Sequence, residues 1–173
     1  MTTRVVRRAR RLSLPHTEGI AAIRTGKLEV KSYWTAIPFQ NQALKDDPKV
    51  RKVASSFDVF GGPHTHITMY GTQRFKDANP RTFEAIADAY REAFDLIQKD
   101  PKRAAEIFVE YTRSKETPEF ILSIMEAKEV RFSPEPQGMM RLAQFMYDVK
   151  TIKAKPESWK DLFFENVHGL NGN

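Results

Sequence analysis

No cysteine occurs among the 173 residues. Disulfides, thiolate metal sites and a cysteine nucleophile are thereby excluded, while the compartment stays open, because secreted proteins can also lack disulfides. Long apolar runs are missing as well: no stretch approaches the ~18 uncharged apolar residues of a membrane helix. Leu12, Ser13, Leu14, Pro15 and His16, which follow a basic start, do not form the apolar segment of ~7–15 residues that a secretory signal needs. As written, the chain is expected in the cytoplasm. A phosphate loop, a dinucleotide glycine pattern and a Gly-x-Ser-x-Gly elbow are also absent, so no motif argues for an enzyme. What is present is a composition that can fold, 40% hydrophobic and 29% charged with 12 Phe and 2 Trp. Its length suits one domain, or a small domain with part of another.

Acidic residues are missing from the start of the chain. Residues 1–12 carry Arg4, Arg7, Arg8, Arg10 and Arg11, five of the six net positive charges, and the other 161 residues carry 23 bases against 22 acids. Such an arm can bind phosphates non-specifically. With no aromatic residue to stack on a base and no second basic patch, the expectation is no nucleic-acid partner.

Short elements alternate from residue 17. Thr17 and Glu18 precede Ile20–Ile23, and Gly26 follows, which predicts a short helix ending on a left-handed glycine. Leu28, Val30 and Ser32 alternate with Glu29, Lys31 and Tyr33 in the period of a strand. Pro38 opens a brief helix over Phe39–Leu44, and Val50–Ser55 and His66–Tyr70 read as two further strands. Three dipeptides then repeat one helix-start device, a capping side chain before a proline: Asn79-Pro80, Asp100-Pro101 and Thr117-Pro118. Phe83, Ile86, Ala87, Tyr90, Phe94 and Ile97 make one stripe of a helix over 80–98. The next helix carries Ala104, Ala105, Phe108 and Val109, and the third Phe120, Ile121, Ile124 and Met125. Beyond Pro134 and Pro136 a fourth bears Met139, Leu142, Phe145, Met146 and Val149, and a last short one holds Trp159, Leu162 and Phe163. The pattern predicts an α/β protein with a helix-rich second half.

Two stretches lack charge altogether, Ser32–Leu44 and Val59–Gln73, runs of 13 and 15 residues. Both mix apolar walls with groups able to make directed hydrogen bonds, as a small-molecule pocket does. Gly61-Gly62-Pro63 also lets backbone approach a ligand closely. Two interior strands with their turns fit the same runs. His64 and His66 lie two apart and so share one face of a strand, which suits a metal pair as well as a hydrogen-bonded histidine. No spacing singles out a third ligand among His16, His168 and the carboxylates, so no metal or cofactor is expected.

Leu14-Pro15-His16-Thr17-Glu18-Gly19-Ile20-Ala21-Ala22-Ile23, Gly26-Lys27-Leu28-Glu29-Val30 and Thr35-Ala36-Ile37-Pro38-Phe39 together resemble a segment of ABC-transporter substrate-binding proteins. The branch is the nitrate, sulfonate, taurine and thiamine-precursor type. Phe60-Gly61-Gly62-Pro63-His64-Thr65, then Asn79-Pro80, Asp100-Pro101-Lys102-Arg103-Ala104-Ala105, Trp159-Lys160-Asp161-Leu162-Phe163-Phe164 and His168-Gly169-Leu170 continue it in order. The resemblance implies the C-terminal part of a two-lobed periplasmic-binding-protein fold of type II. Residues 1–13 would be a non-native basic arm, 14–56 a remnant of lobe two with its crossover, and 57–173 the helical return part of lobe one. It implies an N-terminally truncated, impaired, monomeric solute-binding component, not an enzyme, which in full length is periplasmic and delivers its ligand to an ABC permease. Ligand contacts would come from Tyr33, Trp34, Thr35, Pro38 and Phe39 and from Gly61, Gly62, His64 and Thr65. A strongly anionic ligand normally wants an arginine, and the uncharged stretches hold none, which points to a neutral or aromatic solute. Relatives that synthesise the thiamine pyrimidine carry a cysteine-rich motif, which a chain without cysteine cannot supply.

Overall fold

Prolines and their capping neighbours set most helix starts in the computed structural model, which describes residues 13–26 and 30–173. Among the described residues eight α-helices follow in order: α1 (His16–Thr25), α2 (Phe39–Asp46), α3 (Ser56–Phe60), α4 (Gln73–Ala78), α5 (Pro80–Lys99), α6 (Pro101–Thr112), α7 (Pro118–Met125) and α8 (Met139–Asp148). Two 3-10 turns, Trp159–Leu162 and Glu165–Val167, come after them. The chain divides into two units, Met1–Lys52 and Val53–Asn173. None of the helices among the described residues is long and apolar enough to cross a membrane.

In the first unit α1 packs on α2, and Gly19 and Ala22 of the one and Ala43 of the other are buried, Gly19 under the Tyr33 ring. Small residues at a helix contact let the backbones approach closely. Gly26 ends α1 in the left-handed region at φ 66°, as expected. Arg24 reaches Asp46 at 3.5 Å, but both side chains are nearly half exposed, so this pair contributes ~1 kcal/mol or less.

The second unit stacks consecutive helices, α4 on α5, α5 on α6 and α6 on α7. Its core is Ala105 of α6, Ile121 and Ile124 of α7, Ala143 of α8 and Trp159. Burying each isoleucine stabilises by roughly 1.5–3 kcal/mol. The cap device works at two of its three expected places: Asp100 accepts from the Arg103 N–H at 2.9 Å, and Thr117 from the Phe120 N–H at 3.3 Å. Asn79 departs from it. Its side chain faces backward and donates Nδ2–H to the Phe75 carbonyl at 3.1 Å, closing α4 rather than opening α5.

The expected α/β class is corrected to a helical one, since no strand occurs among the described residues. Leu28 and Glu29 of the first expected strand lie outside the described residues, as do Arg4, Arg7, Arg8, Arg10 and Arg11 of the arm. Val50–Ser55 and His66–Tyr70 belong to non-helical stretches without a ladder. A strand exists only when a second segment pairs with its N–H and C=O groups, and no described segment does so here. Their apolar side chains accordingly face solvent: Val53 is 80% exposed, Ile67 81% and Tyr70 93%.

Candidate functional site

Five of the expected contacts, Tyr33 to Phe39, lie in the first unit, and His16 organises three of them. Pro15 is the N-cap of α1, which places His16 on its first turn. Its Nδ1 meets the Tyr33 hydroxyl at 3.1 Å and the Thr35 hydroxyl at 2.9 Å. The imidazole stacks on the Phe39 ring with centroids 4.6 Å apart and planes at 14°. Tyr33 also donates to the Leu14 carbonyl at 3.3 Å, and its ring lies so close against Gly19 that a Cβ there would collide with it. Trp34, between Tyr33 and Thr35 in sequence, is 66% exposed. Pro38 follows a cis peptide bond and leads into α2, on which the Asn41 Oδ1 is buried with no hydrogen-bond partner among the described residues.

The other four, Gly61, Gly62, His64 and Thr65, form a loop at the end of α3 in the second unit. Ser55 and Asp58 make a capping box that fixes the start of α3. Gly61 ends it at φ 68°, and the buried Gly62 donates its N–H to the Phe57 carbonyl at 2.9 Å. The His64 ring stacks on Phe60 at 4.6 Å, and its Nδ1 lies 3.3 Å from the Gly62 carbonyl. A carbonyl can only accept, so this contact calls for a proton on Nδ1. Thr65 is bridged twice to Gln137: its N–H donates to the Gln137 carbonyl at 2.7 Å, and its hydroxyl accepts from the Gln137 N–H at 2.8 Å. Gly138, at φ 67°, passes so close that a Cβ there would lie 3.0 Å from His64 Cβ.

Sequence reasoning misses three participants. His16 enters it as a possible metal ligand and as part of the segment that carries the resemblance, not as a site residue, although its place just after Leu14-Pro15 at a helix start is a usable signal. Gln137 sits in a proline-flanked break that reads as a helix interruption. Arg141 of α8 donates from Nη1 to the Phe60 carbonyl, so a guanidinium does stand beside the loop although the uncharged stretches contain none. His64 and His66 approach edge to face at 6.4 Å, and among the described residues no group of three or more His, Asp or Glu side chains is placed to hold a metal ion. A surface hollow of about 490 Å³ lined by Tyr147, Asp148, Lys150, Ile152 and Lys153 contains none of the candidate residues. The two polar-aromatic groups are the better candidates, because their side chains are held in fixed relation by hydrogen bonds and ring stacking. Comparison with family models, with curated proteins and with solved structures finds no match.

Proposed function

We propose that the chain is a solute-binding component of an ABC importer that holds a small organic solute and hands it to a membrane permease. The observation that carries this reading is the first-unit cluster. Two hydroxyls and an imidazole are held in fixed relation over Phe39, next to an indole that is 66% exposed and a helix bearing an unpartnered buried acceptor. A planar or aromatic solute would stack on Trp34 while hydrogen-bonding to Thr35 and Tyr33, a division of labour typical of small-molecule sites.

The finer fold belongs to this proposal. In a two-lobed protein the stretches around Val50–Ser55 and His66–Tyr70 would pair as strands with segments supplied from elsewhere in the sheet, and their exposed Val53, Ile67 and Tyr70 are the side chains such a sheet would cover. The loop from Gly61 to Thr65 is a separate candidate for solute contact within the second unit. Arg141 gives that loop a guanidinium, so a solute carrying an acidic substituent fits as well as a neutral one.

Tryptophan fluorescence tests the reading. A panel of aromatic acids, aromatic amides, alkyl sulfonates and nitrate should include a solute that quenches the protein saturably, with the response lost in Trp34→Phe. A panel with no saturable response, or one retained in Trp34→Phe, contradicts it.

A further inference from the structure

The loop bearing His64 and Thr65 does not hold itself. Its two bonds to Gln137 span 72 residues of sequence, and both use the Gln137 backbone. The Gln137 side chain is in turn held by the last described residues. Its Nε2 donates to the Asn171 carbonyl at 2.7 Å, and its Oε1 accepts from Asn173 Nδ2 at 3.1 Å. Asn173 adds three more contacts around the same turn: Oδ1 accepts from the Gly138 N–H at 2.5 Å, its backbone oxygen accepts from the Met139 N–H at 2.8 Å, and its N–H donates to the Pro136 carbonyl at 3.0 Å. Residues 171–173 are therefore joined to 136–139 by bonds from both backbone and side chain, and 136–139 are joined to the loop.

We propose that Gln137 is the positioning residue of the Gly62–Thr65 recognition loop, and that Asn173 sets its pose. None of the three segments has a helix or a sheet ladder to fix it: 61–65, 136–138 and 171–173 are all irregular. Their mutual hydrogen bonds supply the order. Gly138 is required because its backbone runs against His64 and the Pro63 carbonyl, 3.2 Å from where a Cβ would stand. Pulling Asn173 away would leave the Gln137 side chain on the Asn171 carbonyl alone and loosen Thr65. It would also loosen the His64 ring from the Gly62 carbonyl. The site then changes without any change at a residue that meets solute.

The inference rests on the solute-binding reading only for the loop's purpose, and its test reads the loop directly. By amide exchange and imidazole nitrogen NMR of the whole chain, the Thr65 amide should be protected and His64 should carry its proton on Nδ1. Asn173→Ala and Gln137→Ala should each speed Thr65 exchange about three- to tenfold, the effect of losing one net hydrogen bond, and mix the His64 tautomers. Asn173→Asp keeps Oδ1 for the Gly138 N–H but lacks the Nδ2 donor, so it should loosen Thr65 while α8 stays protected. A purely structural role for residue 173 would instead move both together. Fast Thr65 exchange in the unaltered chain, or unchanged exchange and tautomer in the variants, overturns the proposal, and the first needs no variant to fold. If loop order responds as expected while no solute binds, the solute-binding reading fails and the positioning role stands.

Discussion

Three glycines of the second unit should respond to alanine in a fixed order, because each meets a different combination of backbone strain and close contact. Gly71 has no atom within 4 Å of where a Cβ would stand and no left-handed φ, so Gly71→Ala should be neutral or stabilise by about 0.4–1 kcal/mol through the unfolded chain. Gly61 has φ 68° and only an ordinary contact, with Arg141 Nη1 at 3.4 Å. Gly61→Ala should destabilise by the left-handed strain alone, ~1–2 kcal/mol. Gly138 combines φ 67° with contacts of 3.0 Å to His64 Cβ and 3.2 Å to the Pro63 oxygen. Overpacking against backbone adds ~1–3 kcal/mol to the strain, so Gly138→Ala should lose roughly 2–5 kcal/mol in all. Urea denaturation followed by Trp159 fluorescence in a Trp34→Phe background measures all three in one unit, with unchanged m-values confirming a common transition. If Gly138→Ala loses no more than Gly61→Ala, the close passage of residue 138 past His64 is wrong, and with it the loop geometry.

Caps give a second ordering: Asp100→Ala and Thr117→Ala should each destabilise by ~1 kcal/mol, and Asn79→Ala by clearly less, since Asn79 does not cap α5. Equal losses at all three would contradict the backward pose of Asn79. The Glu119 carboxylate is held below its ordinary value, first by a backbone N–H of Glu119, then by the Thr117 hydroxyl and the charge of Lys102. A depressed folded value means its contribution to α7 is present at neutral pH and is lost as acid takes the pH down through the folded value. Carbon NMR titration should place Glu119 below an unfolded glutamate, with Thr117→Ala moving it up; an unmoved midpoint counts against the Thr117 contact. In the first unit, Gly19→Ala would drive a Cβ into the Tyr33 ring and displace the hydroxyl from His16 and Leu14. Solute affinity, read by Trp34 quenching, should fall about five- to tenfold, as for one lost hydrogen bond, and unchanged affinity would remove Tyr33 from the site.

The helices are legible because their signals are local. Pro80, Pro101 and Pro118 each stand at the first position of a helix, and the apolar stripe of α5 runs at the spacing its residues predict. α3 and α4 escape notice because five and six residues are too few to show a helical period. α3 announces itself only through Ser55 and Asp58, at the end of a stretch that reads as a strand. The strands mislead for a different reason: alternation in His66–Tyr70 states which faces a strand would present, but pairing depends on a partner that the segment itself cannot specify. The candidate site is half legible. Charge-free runs lead to Tyr33, Thr35, His64 and Thr65, whereas His16 and Gln137 reach them across 17 to 72 positions, Arg141 reaches the neighbouring Phe60 across 81, and Asn173 acts through Gln137, distances over which no periodicity speaks.

Calorimetric titration of the whole protein with the solute selected by Trp34 quenching tests the central claim most directly. A saturable isotherm that weakens about fivefold or more in both Tyr33→Phe and Thr35→Ala, the loss of roughly one hydrogen bond at each, is the predicted result. Tight binding indifferent to both substitutions, or no heat of binding at all, would contradict it.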